Sequence, residues 1–134
     1  MQRPTKAAAR KRKILIIEDE LILVKMYREK FEQEGFQVIT ASDVQEGLAL
    51  AQNEAPDLIV LDILLPRGNG LLFLEELREN PAIARIPVVV FSNFDNPETI
   101  KRAQSLGAKT YLIKTDHTPK QIVQKIAIYL KESK

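Results

Sequence analysis

Five short apolar runs, at residues 13–18, 36–41, 57–61, 86–91 and 109–113, are each followed by a segment whose apolar residues recur at three- and four-residue steps. Runs of this length without polar alternation read as strands covered on both faces, and the longer spacing reads as amphipathic helix. In the first helical segment Leu21, Val24, Tyr27 or Arg28, and Phe31 form the stripe, and Gly35 supplies the stop. In the second, Ser42 with Gln45 resembles a capping box, and Val44, Leu48 and Ala51 point inward. Gly70 opens the third, which buries Leu71, Leu74 and Leu77 and ends before Pro81. Asn96-Pro97 begins the fourth and Gly107 ends it; Thr118-Pro119-Lys120-Gln121 repeats that start ahead of Ile122, Ile126 and Leu130. Alternation of this kind predicts an α/β fold with a parallel sheet. Right-handed crossovers then place helices on both faces, and ligands bind beyond the carboxyl ends of the strands.

Polar residues gather at that edge. Ile14-Leu15-Ile16-Ile17 runs into Glu18-Asp19, Leu58-Ile59-Val60-Leu61 runs into Asp62, Ser92 follows the fourth strand and Lys114 the fifth. Side-by-side strands would bring the three acids together, and crowded carboxylates stay ionised comfortably only if a divalent cation neutralises them. A metal is therefore expected. Three acids, a hydroxyl, an amine and a cation suit phosphoryl transfer, with Asp62 attacking phosphorus, Asp19 sharing the metal, Lys114 pairing with a phosphoryl oxygen and Ser92 donating a hydrogen bond.

Composition narrows the classes. A chain of 134 residues fits one domain, and the absence of Cys removes disulfides, thiolate metal sites and thiol nucleophiles. No apolar run is long enough to span a bilayer and no signal region follows Met1, so the chain is expected to be unexported and cytoplasmic, without a membrane partner. The net charge of +2 is unevenly distributed: six of the 20 basic residues lie in residues 1–13, leaving 14 against 18 acidic, a charge of −4. Residues 1–12 are expected to form a disordered basic tail and 13–134 the domain. The tail has no aromatic residue for stacking, which argues against nucleic acid.

The chain resembles the receiver domain of two-component response regulators over about residues 13 to 132. The resemblance rests on Glu18-Asp19, on Asp62-Ile63-Leu64-Leu65-Pro66 with Gly70 beyond, on Ser92, and on Tyr111 and Lys114. It implies a flavodoxin-like (βα)5 three-layer fold with strand order 2-1-3-4-5, and Asp62 as acceptor of phosphate from a sensor histidine kinase or a histidine phosphotransfer protein. Asp19, Asp62 and the backbone carbonyl of Leu64 would bind Mg²⁺, or Mn²⁺ in its place, with Glu18 acting through water. Ser92 and Tyr111 would be the switch pair, the ring turning inward as the hydroxyl moves toward the phosphoryl group. No enzymatic activity beyond self-catalysed phosphotransfer and dephosphorylation is implied.

Two departures from the family pattern stand out. Thr115 takes the place of the usual cis-proline after Lys114, so that peptide either bears the cost of a cis bond, roughly 2.5–4 kcal/mol, or runs trans. Leu64 and Asn93 flank the expected route of hydrolytic water and are expected to alter the lifetime of the phosphate. His117, the single histidine, has no ligand partner at suitable spacing and reads as a solvated loop residue.

Rival readings fit less well. Haloacid-dehalogenase-type phosphatases and Toprim nucleases want an Asp-x-Asp pair that neither Glu18-Asp19-Glu20 nor Asp62-Ile63-Leu64 provides, and the acidic first loop would repel a bare nucleotide phosphate. A phosphorylation-independent interaction scaffold remains the main alternative, with a Mg²⁺-dependent phosphohydrolase behind it. Lys134 ends the chain soon after the fifth helix, and a single-domain regulator acting through noncovalent partners is expected, as a monomer or a phosphorylation-dependent dimer. Its downstream surface would be the fourth helix, fifth strand and fifth helix, carrying Lys101, Arg102, Lys109, Lys120 and Lys125.

Overall fold

Parallel pairing starts at Lys13 and builds one five-stranded sheet of order β2-β1-β3-β4-β5 in the computed structural model, which describes residues 11–66 and 68–132. The strands are β1 (Lys13–Ile17), β2 (Gln37–Ala41), β3 (Leu58–Leu61), β4 (Val88–Ser92) and β5 (Thr110–Ile113). Between and after them lie α1 (Leu21–Gln33), α2 (Val44–Glu54), α3 (Gly70–Glu79), α4 (Pro97–Ser105) and α5 (Pro119–Glu132), with a 3₁₀ turn over Lys114–Asp116. This is the flavodoxin-like strand order that the sequence led one to expect.

Strand residues alternate between two layers because successive side chains leave opposite faces. Ile14, Ile16, Leu58, Val60 and Phe91 pack against Phe31 of α1 and Ile126 of α5. Leu15, Ile17, Ile59, Leu61 and Val90 pack against Val44 of α2, Phe73 of α3 and Ala103 of α4. Burial on both faces is why these strands read as unbroken apolar runs.

The register positions the polar edge. Ile17 pairs with both Ala41 and Leu61, so the residues that follow, Glu18 and Asp62, emerge side by side. Ser92 pairs with Ile113, which brings the hydroxyl and Lys114 to the same end of the sheet.

Local details shift from the sequence expectations. Leu21 is 78% exposed rather than inward, and α1 buries Tyr27 and Phe31. The N-cap of α2 is Asp43, which accepts the Glu46 amide at 2.8 Å; the Glu46 carboxylate in turn accepts the Ser42 amide at 2.9 Å. Both Ser42 and Asp43 are competent caps, and the choice of the second moves the box by one residue. Strand β4 starts at Val88 because Pro87 has no N–H to donate, although its carbonyl accepts from Ile59. At α5 the capping box is reciprocal: Gln121 donates its amide to Thr118 Oγ1 and accepts the Thr118 amide. No peptide bond is cis among the described residues, so Lys114–Thr115 is trans.

Of the basic tail expected over 1–12, residues 1–10 lie outside the described residues. Arg12 is tied to the body, its guanidinium donating to the Leu130 carbonyl at 3.1 Å and its carbonyl accepting the Gln37 amide. Among the described residues no helix is long and apolar enough to cross a membrane.

Candidate functional site

At the carboxyl end of the sheet one carboxylate oxygen from each of Glu18, Asp19 and Asp62 lies within 4.8 Å of the others. Glu18 is 2% and Asp62 5% exposed, while Asp19 faces solvent. Two acids are thus committed to the interior and the third opens outward, as hard oxygen donors around a partly hydrated divalent ion should be arranged. The Glu18 carboxylate also accepts the Glu20 amide at 3.0 Å, which fixes the loop leading into α1.

Lys114 is drawn across the strand ends to this cluster. Its ammonium lies 2.5 Å from Glu18 Oε1 and 3.1 Å from Asp62 Oδ2, and 4.7 Å from the centre of the Phe91 ring beneath it. Burial pushes the Glu18 carboxyl above its ordinary range, outweighing the lowering effects of the Lys114 and Glu20 hydrogen bonds. Burial also works against the Lys114 charge, but the Glu18 hydrogen bond and the nearby Asp62 charge prevail and hold its pKa above the usual lysine value. The ammonium therefore stays charged between the two acids.

The other Asp62 oxygen, Oδ1, accepts the Leu64 amide at 3.2 Å. That bond folds the loop back so that its backbone borders the acids, while the Leu64 side chain stays exposed. The loop is closed behind Asp62 by Gly70, whose amide donates to the Ile63 carbonyl at 2.8 Å. A Cβ on Gly70 would stand 2.7 Å from the Asp62 carbonyl oxygen, so only glycine allows α3 to start this close to the acid.

Ser92 is fully buried, and its Oγ accepts the Phe94 amide at 3.2 Å. The Tyr111 hydroxyl donates to the carbonyl of that same Phe94, and burial foremost, with the Asp62 and Asp95 charges, raises the phenol above its ordinary pKa. The peptide units on either side of Phe94 thus join Ser92 to Tyr111. Sequence reasoning did not single out Phe94; its position two residues after Ser92, within reach of a local hydroxyl–amide turn, is the one signal that could have marked it. His117 departs from the solvated expectation: it is half-buried, with Nδ1 3.2 Å from the Ile113 carbonyl.

A buried carboxylate, further acids able to hold a cation, and ammonium and hydroxyl groups at one sheet edge are the parts that phosphoryl transfer requires. The sequence profile of the response regulator receiver domain matches residues 14–127. The chain belongs to that family. This receiver domain is 33% identical over 122 residues to the alkaline phosphatase synthesis transcriptional regulatory protein PhoP of Bacillus subtilis, covering 91% of this chain and 50% of that protein. The chain thus spans about half the length of the curated relatives it matches. Two solved structures share the receiver fold. The phosphorylated cyanobacterial phytochrome response regulator RcpA superposes with a TM-score of 0.83 at 30% identity, over 93% of this chain and 97% of that one. The Mn²⁺-bound form of response regulator Rcp1 superposes with a TM-score of 0.81 at 28% identity, over 92% and 96%.

Proposed function

We propose that this receiver is a phosphorylation-activated signalling module in which Asp62 accepts a phosphoryl group from a phosphohistidine on a sensor histidine kinase or a histidine phosphotransfer protein. The observation that carries the reading is the buried Asp62 carboxylate, bonded to Lys114 on one oxygen and to the Leu64 amide on the other, beside Glu18 and Asp19. In the transfer an Asp62 oxygen forms the new O–P bond as the P–N bond to imidazole breaks, and the electron pair stays on the departing nitrogen. Hydrolysis of the acyl phosphate later restores the carboxylate. The domain needs no activity beyond these self-catalysed steps.

The donor set fits Mg²⁺, or Mn²⁺ in its place: Asp19, Asp62 and the Leu64 backbone carbonyl would hold it, with Glu18 acting through water. When bound, the ion supplies positive charge against the phosphoryl oxygens. Lys114 is placed to exchange its Asp62 contact for a phosphoryl oxygen. Ser92 would donate to another by turning toward it, which draws the acceptor away from the Phe94 amide and loosens the loop over 93–96. Because Tyr111 holds the Phe94 carbonyl, its ring follows that loop, and the face formed by α4, β5 and α5 changes shape for a downstream protein. Lys101, Lys109 and Lys125 are exposed there and suit an acidic partner surface, whereas Arg102 pairs with Glu75 of α3 and Lys120 borders Lys30 and Gln33 of α1.

Incubation with acetyl phosphate and Mg²⁺ followed by peptide mapping tests the assignment. The phosphoryl group is expected on Asp62; its recovery on any other residue overturns the reading.

A further inference from the structure

Arg78, in the last turn of α3, ties three segments together through backbone carbonyls. Its Nε donates to the Leu106 carbonyl at 2.7 Å, Nη1 to Ala84 at 2.6 Å and Ile86 at 3.3 Å, and Nη2 to Gly107 at 3.2 Å. Leu106 and Gly107 close the carboxyl end of α4, where the helix carries its partial negative charge, so the fork meets both the hydrogen-bonding and the electrostatic demand of that end. The turn is itself tightly closed: the Gly107 amide donates to Gln104 and the Ala108 amide to Ala103, each at 3.0 Å. Gly107 has φ +94°, and a Cβ there would stand 2.9 Å from Arg78 Nε, so any side chain would both strain the turn and displace the guanidinium.

The opposite end of α4 is held differently. Residues 93–98 are all exposed, and the loop is bound by the Asn96 cap, by Ser92 Oγ and by the Tyr111 hydroxyl. Of the α4 residues only Ala103 is buried, and the Arg102–Glu75 ion pair at 2.9 Å is exposed and contributes little. One end of the helix therefore rests on a multiply bonded guanidinium, and the other on its own Asn96 cap and two hydroxyls of the proposed switch pair.

We propose that Arg78 is a positioning residue for signalling: it fixes the carboxyl end of α4 so that a displacement of the Ser92 loop tilts the helix about that end. This rests on the phosphoacceptor reading and adds to it the route by which the state of Asp62 reaches the α4 surface. A clamp at one end converts a local loop movement into a directed rotation; without it the same movement would dissipate as loosening of the whole helix.

Amide hydrogen exchange on the full chain tests this in the parent, Arg78→Met and Arg78→Lys, each alone and with Mg²⁺ plus beryllofluoride as a stable phosphoryl mimic. Without ligand, Arg78→Met is expected to speed exchange at residues 106–108 by about tenfold or more, as loss of charge-assisted hydrogen bonds requires, while β1 and β3 exchange as in the parent. Arg78→Lys, which keeps the charge but not the fork, is expected to fold and to loosen the same segment less. With beryllofluoride, exchange in the parent changes at 93–100 and not at 106–108, whereas in Arg78→Met the change extends to 108. Equal changes at both ends of α4 in the parent, or unchanged protection at 106–108 in both variants, overturns the clamp. A parent in which beryllofluoride alters no segment overturns the phosphoacceptor reading instead, and the ligand-free comparison then still decides whether Arg78 holds the turn.

Discussion

The Lys114 ammonium lies 3.1 Å from Asp62 Oδ2 while also bonded to Glu18, so one lysine stands where a divalent cation and the two acids would otherwise settle their charges. Lysine and cation therefore compete for the same carboxylates. Lys114→Met is expected to tighten Mg²⁺ binding by about tenfold, equivalent to about 1.4 kcal/mol, because the acids lose their internal counter-charge. The same variant is expected to accept phosphate more slowly, since a phosphoryl oxygen loses its ammonium partner. Calorimetric titration with MgCl₂ measures the first effect and the rate of adduct formation the second; unchanged affinity would mean that the ion pair does not oppose the cation.

Gly70 and Gly47 offer a matched comparison of close approach. At Gly70 an added methyl meets backbone, the Asp62 carbonyl oxygen at 2.7 Å and Ile63 Cα at 2.9 Å, whereas at Gly47 it meets side chains, Ile17 Cδ1 at 2.7 Å and Phe73 Cε1 at 3.2 Å. Gly70→Ala is expected to cost about 1–3 kcal/mol and to slow phosphorylation by moving the Asp62 loop. Gly47→Ala is expected to cost less, because side chains give way more readily than backbone and alanine gains about 1 kcal/mol of helix propensity. Urea unfolding of both variants, with phosphorylation rates alongside, checks the order; Gly47→Ala as the more damaging change would refute it.

Ala55, at the carboxyl cap of α2, holds φ +48° without being glycine. A left-handed conformation costs an L-residue roughly 1–2 kcal/mol, partly offset in glycine by a more flexible unfolded chain. Ala55→Gly is therefore expected to raise unfolding stability by up to about 1 kcal/mol in a urea titration, leaving phosphorylation unaltered.

Much of this architecture was legible because parallel strands buried on both faces must be apolar throughout, and the runs ending in Glu18-Asp19 and Asp62 follow that rule. The caps at Asn96 and Thr118 were legible for a local reason, the side-chain oxygen that accepts an amide of the first turn. Leu21 was misplaced because helical spacing fixes a stripe but not whether the first turn reaches the sheet; at the rim beside Glu18 it does not. Ser42 and Asp43 were interchangeable as caps until the loop geometry chose between them. The Lys114–Glu18 contact joins residues 96 apart, and the Arg78 carbonyl partners come from two separate turns; neither carries any periodic or compositional signal.

Leu64, two residues after Asp62, is exposed, as is Asn93 after the buried Ser92, so on the phosphoacceptor reading both would flank the approach of water to Asp62. Leu64→Asn and Asn93→Ala are each expected to change the rate of phosphate loss by about two- to tenfold, a barrier change of up to about 1.4 kcal/mol. Intact-mass time courses after removal of the donor read the rates, and values equal to that of the parent in both variants would remove these residues from the control of lifetime.

Intact mass after incubation with acetyl phosphate, with and without Mg²⁺, tests the phosphoacceptor role of Asp62 most directly. A single phosphoryl adduct is expected in the parent, absent when Mg²⁺ is omitted and absent in Asp62→Asn. An adduct that persists in Asp62→Asn, or a parent that takes up no phosphoryl group under either condition, would contradict it.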